Sequence, residues 1–318
     1  MKLGFIYAGQ GSQHVGMGQD FYEKYSLYKE TIDNATESVK NTTAMDVAKL
    51  SFEGPTEQLS QTRYTQPAMV AFAIGVTKLL QDNGINPEYA CGLSLGEYSA
   101  LYSAGVLDEA TIMDLIAKRG KYMEEASAGL DVKMAAVLGA EREVVLEACQ
   151  RATESFGGEK IVQAANFNCP GQIVISGDAV AVDKASASLK ETGVKRILPL
   201  NVSGPFHTKL MKPAGDALAS EFKNVTFEEP KVKVIFNCLG KEKTSDITIP
   251  ELLEKQVQSS VYLEDSIKHM ADNGVDTIIE IGPGKAISKF VKKTTPDVKV
   301  YSIDTVEDFE TVLEELKA

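Results

Sequence analysis

Histidine is scarce in this chain: only His14, His207 and His269 occur in 318 residues. Any mechanism that needs an imidazole base must therefore choose among three positions. The four cysteines, Cys91, Cys149, Cys169 and Cys238, form no C-x-x-C pair and have no histidine close by in sequence. That argues against structural zinc and points to reduced, buried thiols in a cytoplasmic protein. No apolar run approaches the ~20 residues that cross a bilayer, so no membrane span is expected. The opening segment, Met1 to Ala8, is too short for a signal peptide and reads as a first buried strand running into a glycine loop. Positive charge is in deficit, with 33 Lys and Arg against 45 Asp and Glu and a net charge of −12. This argues against general nucleic-acid binding, and an acidic protein partner would need a local basic patch. Internal repeats and low-complexity segments are missing as well. What remains, 43% hydrophobic and 25% charged residues, is the composition of an ordinary globular protein.

Against these absences one stretch stands out. Gly92-Leu93-Ser94-Leu95-Gly96 reads as G-x-S-x-G, the turn that presents a nucleophilic serine between a strand and a helix. Tyr89-Ala90-Cys91 closes a short apolar run before it, and Glu97 to Leu101 opens a helical pattern after it. The two glycines are needed because so sharp a turn strains the backbone and would bring side chains into collision. Ser94 would sit at a helix N-terminus, where free N–H groups favour developing negative charge. A glycine- and serine-rich connection without chemistry is the plain alternative.

Strands and helices alternate along most of the chain, which predicts an α/β fold with a mainly parallel sheet. Strand patterns cover Leu3 to Ala8, Thr277 to Ile281 and Lys299 to Ile303; helical patterns cover Gly18 to Lys40, Pro67 to Asn83 and Glu109 to Ala126. Between Lys133 and Leu200 the order is strand, helix, two short strands joined around Cys169-Pro170-Gly171, helix and strand, which is the ferredoxin-like unit. The expected organisation is a large α/β-hydrolase-like domain over 1–128 and 200–318, resuming near Asn201, with an inserted ferredoxin-like (βαββαβ) subdomain over 129–199.

A serine nucleophile needs a base. His269 lies in a helical stretch and reads as a surface residue, and His14 follows the first glycine loop. His207 follows a strand ending near Val202 and precedes a helix over Met211 to Phe222. It lies where open α/β sheets place ligands, so it is favoured over His14. Oxyanion donors are expected from the N–H of Leu95, just after the serine, and of Gln10, at the tip of the loop after the first strand. That loop is not a dinucleotide fingerprint, because His14 stands at the sixth position of G-x-G-x-x-G. Gly282-Pro283-Gly284-Lys285 is not a P-loop, because Ile279 stands where the first glycine belongs. An α/β-hydrolase would use an HGGG-type oxyanion loop, which is missing, and an acid between serine and histidine. Asp178 and Asp216 are available, but neither sits at a convincing strand end.

Taken together, these residues resemble the malonyl-CoA:acyl-carrier-protein transacylase family over nearly the whole chain. Gly9-Gln10-Gly11-Ser12-Gln13 is similar to its opening G-Q-G-S-Q, Thr65-Gln66-Pro67-Ala68 to its T-Q-P-A, and Gly92 to Glu97 to its G-H-S-L-G-E. Asn166-Phe167-Asn168 with Pro170-Gly171-Gln172 resembles its N-x-N-x-P-G-Q turn, and Gly282-Pro283-Gly284 its late G-P-G. The resemblance implies Ser94 as nucleophile, His207 as general base and Gln256 as the residue whose carbonyl orients the histidine in place of an acid. It implies the N–H groups of Gln10 and Leu95 as the oxyanion hole. Arg119 is implied to pair with the free carboxylate of malonate, to which a planar guanidinium offers two parallel bonds. Phe206 resembles the form that favours malonyl over branched units. Leu93 departs from the family, replacing the histidine that often precedes the nucleophile. The implied partners are malonyl-CoA, CoA and the phosphopantetheine of acyl carrier protein, with no metal or redox cofactor, no nucleic acid, no membrane and a monomeric state. Lys118, Lys121, Lys209, Lys212, Lys285 and Lys289 are candidates for a docking patch. The rival readings are a serine esterase or thioesterase and a non-catalytic carrier-binding module.

Overall fold

The computed structural model describes residues 1–200 and 204–317. The expected strand end near Val202 and the expected resumption of the large domain near Asn201 lie outside the described residues.

The chain builds a mixed α/β structure with two sheets. The strands in chain order are β1 (Leu3–Tyr7), β2 (Tyr89–Gly92), β3 (Val132–Leu138), β4 (Val162–Cys169), β5 (Gln172–Asp178), β6 (Arg196–Leu200), β7 (Lys233–Val234), β8 (Val261–Tyr262), β9 (Thr277–Ile281) and β10 (Lys299–Ile303). The first sheet has the order β10-β9-β1-β2-β7, and every pairing in it is parallel. All residues of β1, β2 and β9 are buried, as expected for parallel strands covered on both faces. The second sheet has the order β6-β3-β5-β4-β8. Its pairs are antiparallel except for β4 with β8, where Asn166 is in register with Val261 and Phe167 with Tyr262. Strand β8 thus ties the second sheet to the C-terminal third of the chain. A separate core of Val137, Val145, Phe167, Ile175 and Leu189 fills this second unit.

The observed elements differ from the sequence expectations in three informative places. The helix expected from Pro67 begins at Thr62, so Pro67 lies inside it. Proline removes one backbone donor there, and a helix buried along most of its length tolerates the loss. The helical pattern from Gly18 breaks at Tyr25, whose extended backbone separates Gln19–Lys24 from Ser26–Thr43. Asn166 and Asn168, expected in a turn, belong to β4, and the turn is confined to Pro170-Gly171.

The carboxyl ends of β1, β2, β7 and β9 lie side by side in the parallel sheet. The loops that leave them carry Gln10, Ser94, Asn237 and Gly282 to one edge. This is the edge at which open α/β sheets bind ligands.

Candidate active site

Strand β2 delivers its chain into a turn where Ser94 has φ +56°, in the left-handed region. A non-glycine residue is costly there, on the order of 1–2 kcal/mol, and persists only when its surroundings hold it. The glycines on either side are required by space. A Cβ on Gly92 would stand 2.1 Å from the carbonyl carbon of Gly96, and one on Gly96 would stand 2.5 Å from the Tyr7 carbonyl oxygen. The helix Gly96–Ser103 starts immediately afterwards, with Leu95 as its N-cap. Among the described residues neither the Leu95 nor the Gln10 amide N–H has a hydrogen-bond acceptor.

His207 lies 2.7 Å through Nε2 from Ser94 Oγ, and its Nδ1 lies 2.9 Å from the main-chain oxygen of Gln256. A carbonyl can only accept, so Nδ1 carries the proton and Nε2 presents its lone pair to the serine hydroxyl. His207 also has a positive φ, +59°, and is 4% exposed. Burial, with the Arg119 charge as the second cause, lowers its pKa from 6.5 to about 4. The imidazole is therefore neutral at physiological pH and competent to take a proton.

Gln256 works through three groups. Its main-chain oxygen accepts from His207, its Nε2 donates to the Ser94 carbonyl at 2.8 Å, and its Oε1 accepts from Arg119 at 2.8 Å. The carbonyl that orients the histidine is thus the main-chain one. It is free to do so because Gln256 lies in the last turn of the helix Ile249–Val257, where carbonyls have no intrahelical partner. That helix is fixed at its start by a capping box between Thr248 and Glu251.

Arg119, on the helix Glu109–Ser127, is fully buried. Its Nη1 donates to Gln66 Oε1 at 2.7 Å; its Nη2 donates to Gln256 Oε1 and, at 3.0 Å, to Ser94 Oγ. Nε is buried without a partner among the described residues. The acid whose charge acts on Arg119 is Glu97, also fully buried, whose pKa burial raises to about 8 against the opposing pull of the Asn237 N–H and the Arg119 charge. At neutral pH the cation therefore faces two neutral amides, a hydroxyl and a mostly protonated carboxyl. A buried charge without a counter-ion is costly, so this arrangement is built to receive an anion.

Sequence reasoning missed Asn237, Glu97 and the contact role of Gln66. Asn237 Oδ1 accepts from the Ser94 N–H at 2.8 Å, its Nδ2 donates to the Gly92 carbonyl at 2.7 Å, and its own N–H donates to Glu97 Oε2 at 2.5 Å. The available signal was a lone polar residue closing the buried run Val234-Ile235-Phe236 at a strand end.

A cavity of about 350 Å³ opens over these groups, lined by Gln10, Gln66, Ser94, Asn168, Phe206 and His207 among others. Phe206, 6% exposed, narrows the pocket beside the histidine. Leu93 lines the same cavity, at the position where the family often has histidine. The other histidines lie elsewhere. His14 is half exposed and 3.3 Å from Asp304, and His269 pairs with Glu242. The structure thus brings together Ser94, His207, Gln256, Arg119, Phe206 and the loop of Gln10, and leaves His14 outside. Among the described residues no group of three or more His, Cys, Asp or Glu stands together as metal ligands, and no helix is long and apolar enough to cross a membrane.

Comparison with known proteins gives a consistent result. The pattern of the acyl transferase domain family matches residues 4–309. The chain is 40% identical to the malonyl CoA-acyl carrier protein transacylase of Bacillus subtilis, over 99% of this chain and 98% of that one. The crystal structure of MCAT from Streptococcus pneumoniae superposes with a TM-score of 0.92 at 43% identity, covering 99% of this chain and 100% of that one. A chain from the structure of a type II PKS acyl-carrier protein in complex with its malonyl-transacylase superposes with a TM-score of 0.93 at 33% identity, over 99% and 100% of the two chains.

Proposed function

This chain belongs to the malonyl-CoA:acyl-carrier-protein transacylase family of acyl transferases, and we propose that it moves a malonyl group from CoA to the phosphopantetheine thiol of acyl carrier protein through a malonyl-Ser94 intermediate. In the first half-reaction Ser94 Oγ attacks the thioester carbonyl while His207 Nε2 takes the hydroxyl proton. The tetrahedral oxyanion is held by the amides of Gln10 and Leu95, the latter at a helix N-terminus. The C–S bond breaks, His207 returns the proton to the CoA sulfur, and malonyl-Ser94 remains. The carrier thiol then attacks by the same steps, with His207 as its base, giving ping-pong kinetics. The reaction as written asks no metal or redox cofactor of this chain.

The observation that carries this reading is the contact of Arg119 with Ser94 Oγ at the wall of the cavity, with no acid paired to the arginine among the described residues. A carboxylate two carbons from the thioester would take up the guanidinium just where the nucleophile sits, which selects malonyl over acetyl groups. We also read the first sheet with its helices as a hydrolase-like large domain over 1–128 and 200–318, and β3 to β6 with their helices as a ferredoxin-like insertion over 129–199. The cleft between them admits the pantetheine arm. We place the enzyme in the cytoplasm as a monomer, without nucleic-acid or membrane partners. For the acidic carrier, Lys209 and Lys289 are the better docking candidates, because Lys118, Lys212 and Lys285 already pair with acids and Lys121 lies near Glu125.

Intact-protein mass after brief mixing with malonyl-CoA or acetyl-CoA tests the reading. The expected result is a malonyl adduct on the wild type, little acetyl adduct, no adduct on Ser94→Ala, and lost malonyl preference in Arg119→Ala. Free malonate released without an accumulating adduct would make the enzyme a thioesterase, and no reaction at all would leave only a carrier-binding role.

A further inference from the structure

The strained turn at Ser94 is not held by its own segment. Residue 237, in the loop after β7, holds it from outside. The Asn237 side chain bonds the turn on both sides of Leu93, taking the Ser94 N–H on Oδ1 and giving Nδ2–H to the Gly92 carbonyl. Asn237 is itself fixed at both ends. Its N–H is given to Glu97 Oε2, in the first turn of the helix that follows the serine, and its carbonyl accepts from the Tyr262 N–H at 2.8 Å. Tyr262 belongs to β8 and stacks on Phe167 of β4, with ring centroids 5.2 Å apart and planes 6° from parallel. Asn237 is 1% exposed, and each kind of polar group it carries is engaged.

We propose that Asn237 is a positioning residue for acyl transfer at Ser94: it clamps the left-handed turn and occupies the serine's own N–H, so that the Leu95 amide is the one left free for the oxyanion. Two consequences follow from the geometry. Without the clamp, Ser94 can relax from its positive φ, which moves Oγ away from both His207 Nε2 and Arg119 Nη2. Without the acceptor, the Ser94 N–H competes for the pocket and the donor set loses its fixed direction. Both losses fall on the transition state, since malonyl-CoA in its ground state is bound by Arg119 and the pocket walls. Through Tyr262 the same residue joins the nucleophile turn to the second sheet.

The inference rests on Ser94 being the nucleophile, and the experiment separates the two. Single-turnover acylation of Ser94 is followed with malonyl-CoA and, independently, with a neutral alkyl fluorophosphonate, for wild type, Asn237→Ala and Asn237→Asp. Rates are expressed per labelled site, so that a smaller folded fraction does not count as a slower rate. Asn237→Ala is expected to slow both reactions about 10²-fold, the scale of losing an oriented oxyanion donor. Half-saturation by malonyl-CoA should stay within about twofold of wild type, because that binding is uniform between ground and transition states. Asn237→Asp keeps an acceptor for the Ser94 N–H and should fall between the two. Wild-type rates per site in Asn237→Ala would overturn the proposal, as would a rate loss matched by an equal loss of malonyl-CoA binding. If the alanine variant does not fold, an aspartate variant acylating at the wild-type rate overturns it equally. Fluorophosphonate labelling without malonyl labelling of the wild type would sink the malonyl reading, yet the ratio of phosphonylation rates would still decide the role of Asn237.

Discussion

Replacing Arg119 with glutamine should make the proposed base easier to switch off by acid. Ser94 Oγ is shared by His207 Nε2 at 2.7 Å and Arg119 Nη2 at 3.0 Å, so the two nitrogens lie within about 6 Å of each other. Two unit positive charges at ~6 Å and an effective dielectric near 20 repel by about 3 kcal/mol, roughly a hundredfold in the protonation equilibrium. Burial and this repulsion together hold the imidazole at about 4 in place of 6.5. The neutral form is the active one, so activity is lost as pH falls through about 4 in the wild type. With glutamine at 119 the repulsion goes and burial stays, and the acid limb should move up from about 4 while remaining below the ordinary histidine value. The assay is the second-order rate of Ser94 labelling by a neutral fluorophosphonate between pH 3.5 and 8, read by brief pH jumps, because that probe needs no arginine. An unchanged midpoint, or one that moves down, would refute the electrostatic account. The same reasoning extends to substrate. A carboxylate seated on Arg119 cancels its charge, so the acid limb of saturated malonyl transfer, which reports the enzyme–substrate complex, should lie above that of fluorophosphonate labelling.

Glu97→Gln should stabilise the protein increasingly as pH rises. The native carboxyl keeps its proton up to about 8, whereas the unfolded chain loses it above 4.5; the unfolded state thus binds fewer protons in that window and native stability falls with rising pH. The amide cannot ionise, so denaturant midpoints at pH 5, 6.5 and 8 should diverge in its favour by at most ~1.4 kcal/mol per pH unit; a constant difference would be the contrary result. Gly96→Ala should cost about 2–3 kcal/mol, the upper range of steric insertions, because its Cβ would meet the Tyr7 and Ala8 carbonyl oxygens at 2.5 and 3.0 Å, and both are backbone atoms. Thermal melts combined with fluorophosphonate labelling check this, and a stable variant that labels at the wild-type rate would show that the turn has room.

The parts of the site that were legible in the sequence are those tied to local geometry. The Ser94 turn announced itself because a serine held at positive φ between crowded backbones needs glycine on both sides, and that need is written within five residues. Strand β9 was read to the residue because a buried parallel strand is a short, mainly apolar run, and strand β10 because Val300, Tyr301 and Ile303 are strand formers that follow the turn residues Pro296 and Asp297. Strands β7 and β8 were not read, being two residues long each, below any periodic signal. Nothing local marks Arg119 within its helical pattern, and only the resemblance drew attention to it; its polar partners Gln66 and Gln256 lie 53 and 137 residues away. Asn237 is a sharper case. Its partners Gly92 and Ser94 are more than 140 residues distant, and no local rule makes an asparagine after a two-residue strand notable.

The long-range contacts have a common electrostatic logic. The site excludes permanent negative charge: the histidine is oriented by a main-chain carbonyl where a hydrolase triad has an acid, and Glu97 is held as a neutral acid at physiological pH. An aspartate behind His207 would raise its basicity permanently, but would also offer Arg119 a counter-ion and weaken its hold on a substrate carboxylate. With glutamine at 256 the arginine stays uncompensated and the base stays weak until an anion arrives. On the proposed mechanism the malonyl carboxylate then does both tasks at once: it neutralises the arginine and relieves the repulsion on the imidazole beside the serine. Acetyl groups bring no such charge, so the same arrangement that selects the acyl group also leaves the base poorly activated toward them. An Arg119→Gln, Gln256→Glu double variant probes this directly. It should acylate faster with acetyl-CoA than Arg119→Gln alone, because the glutamate charge replaces the missing anion near His207. Equal or slower acetylation would show that the substrate's charge contributes binding only.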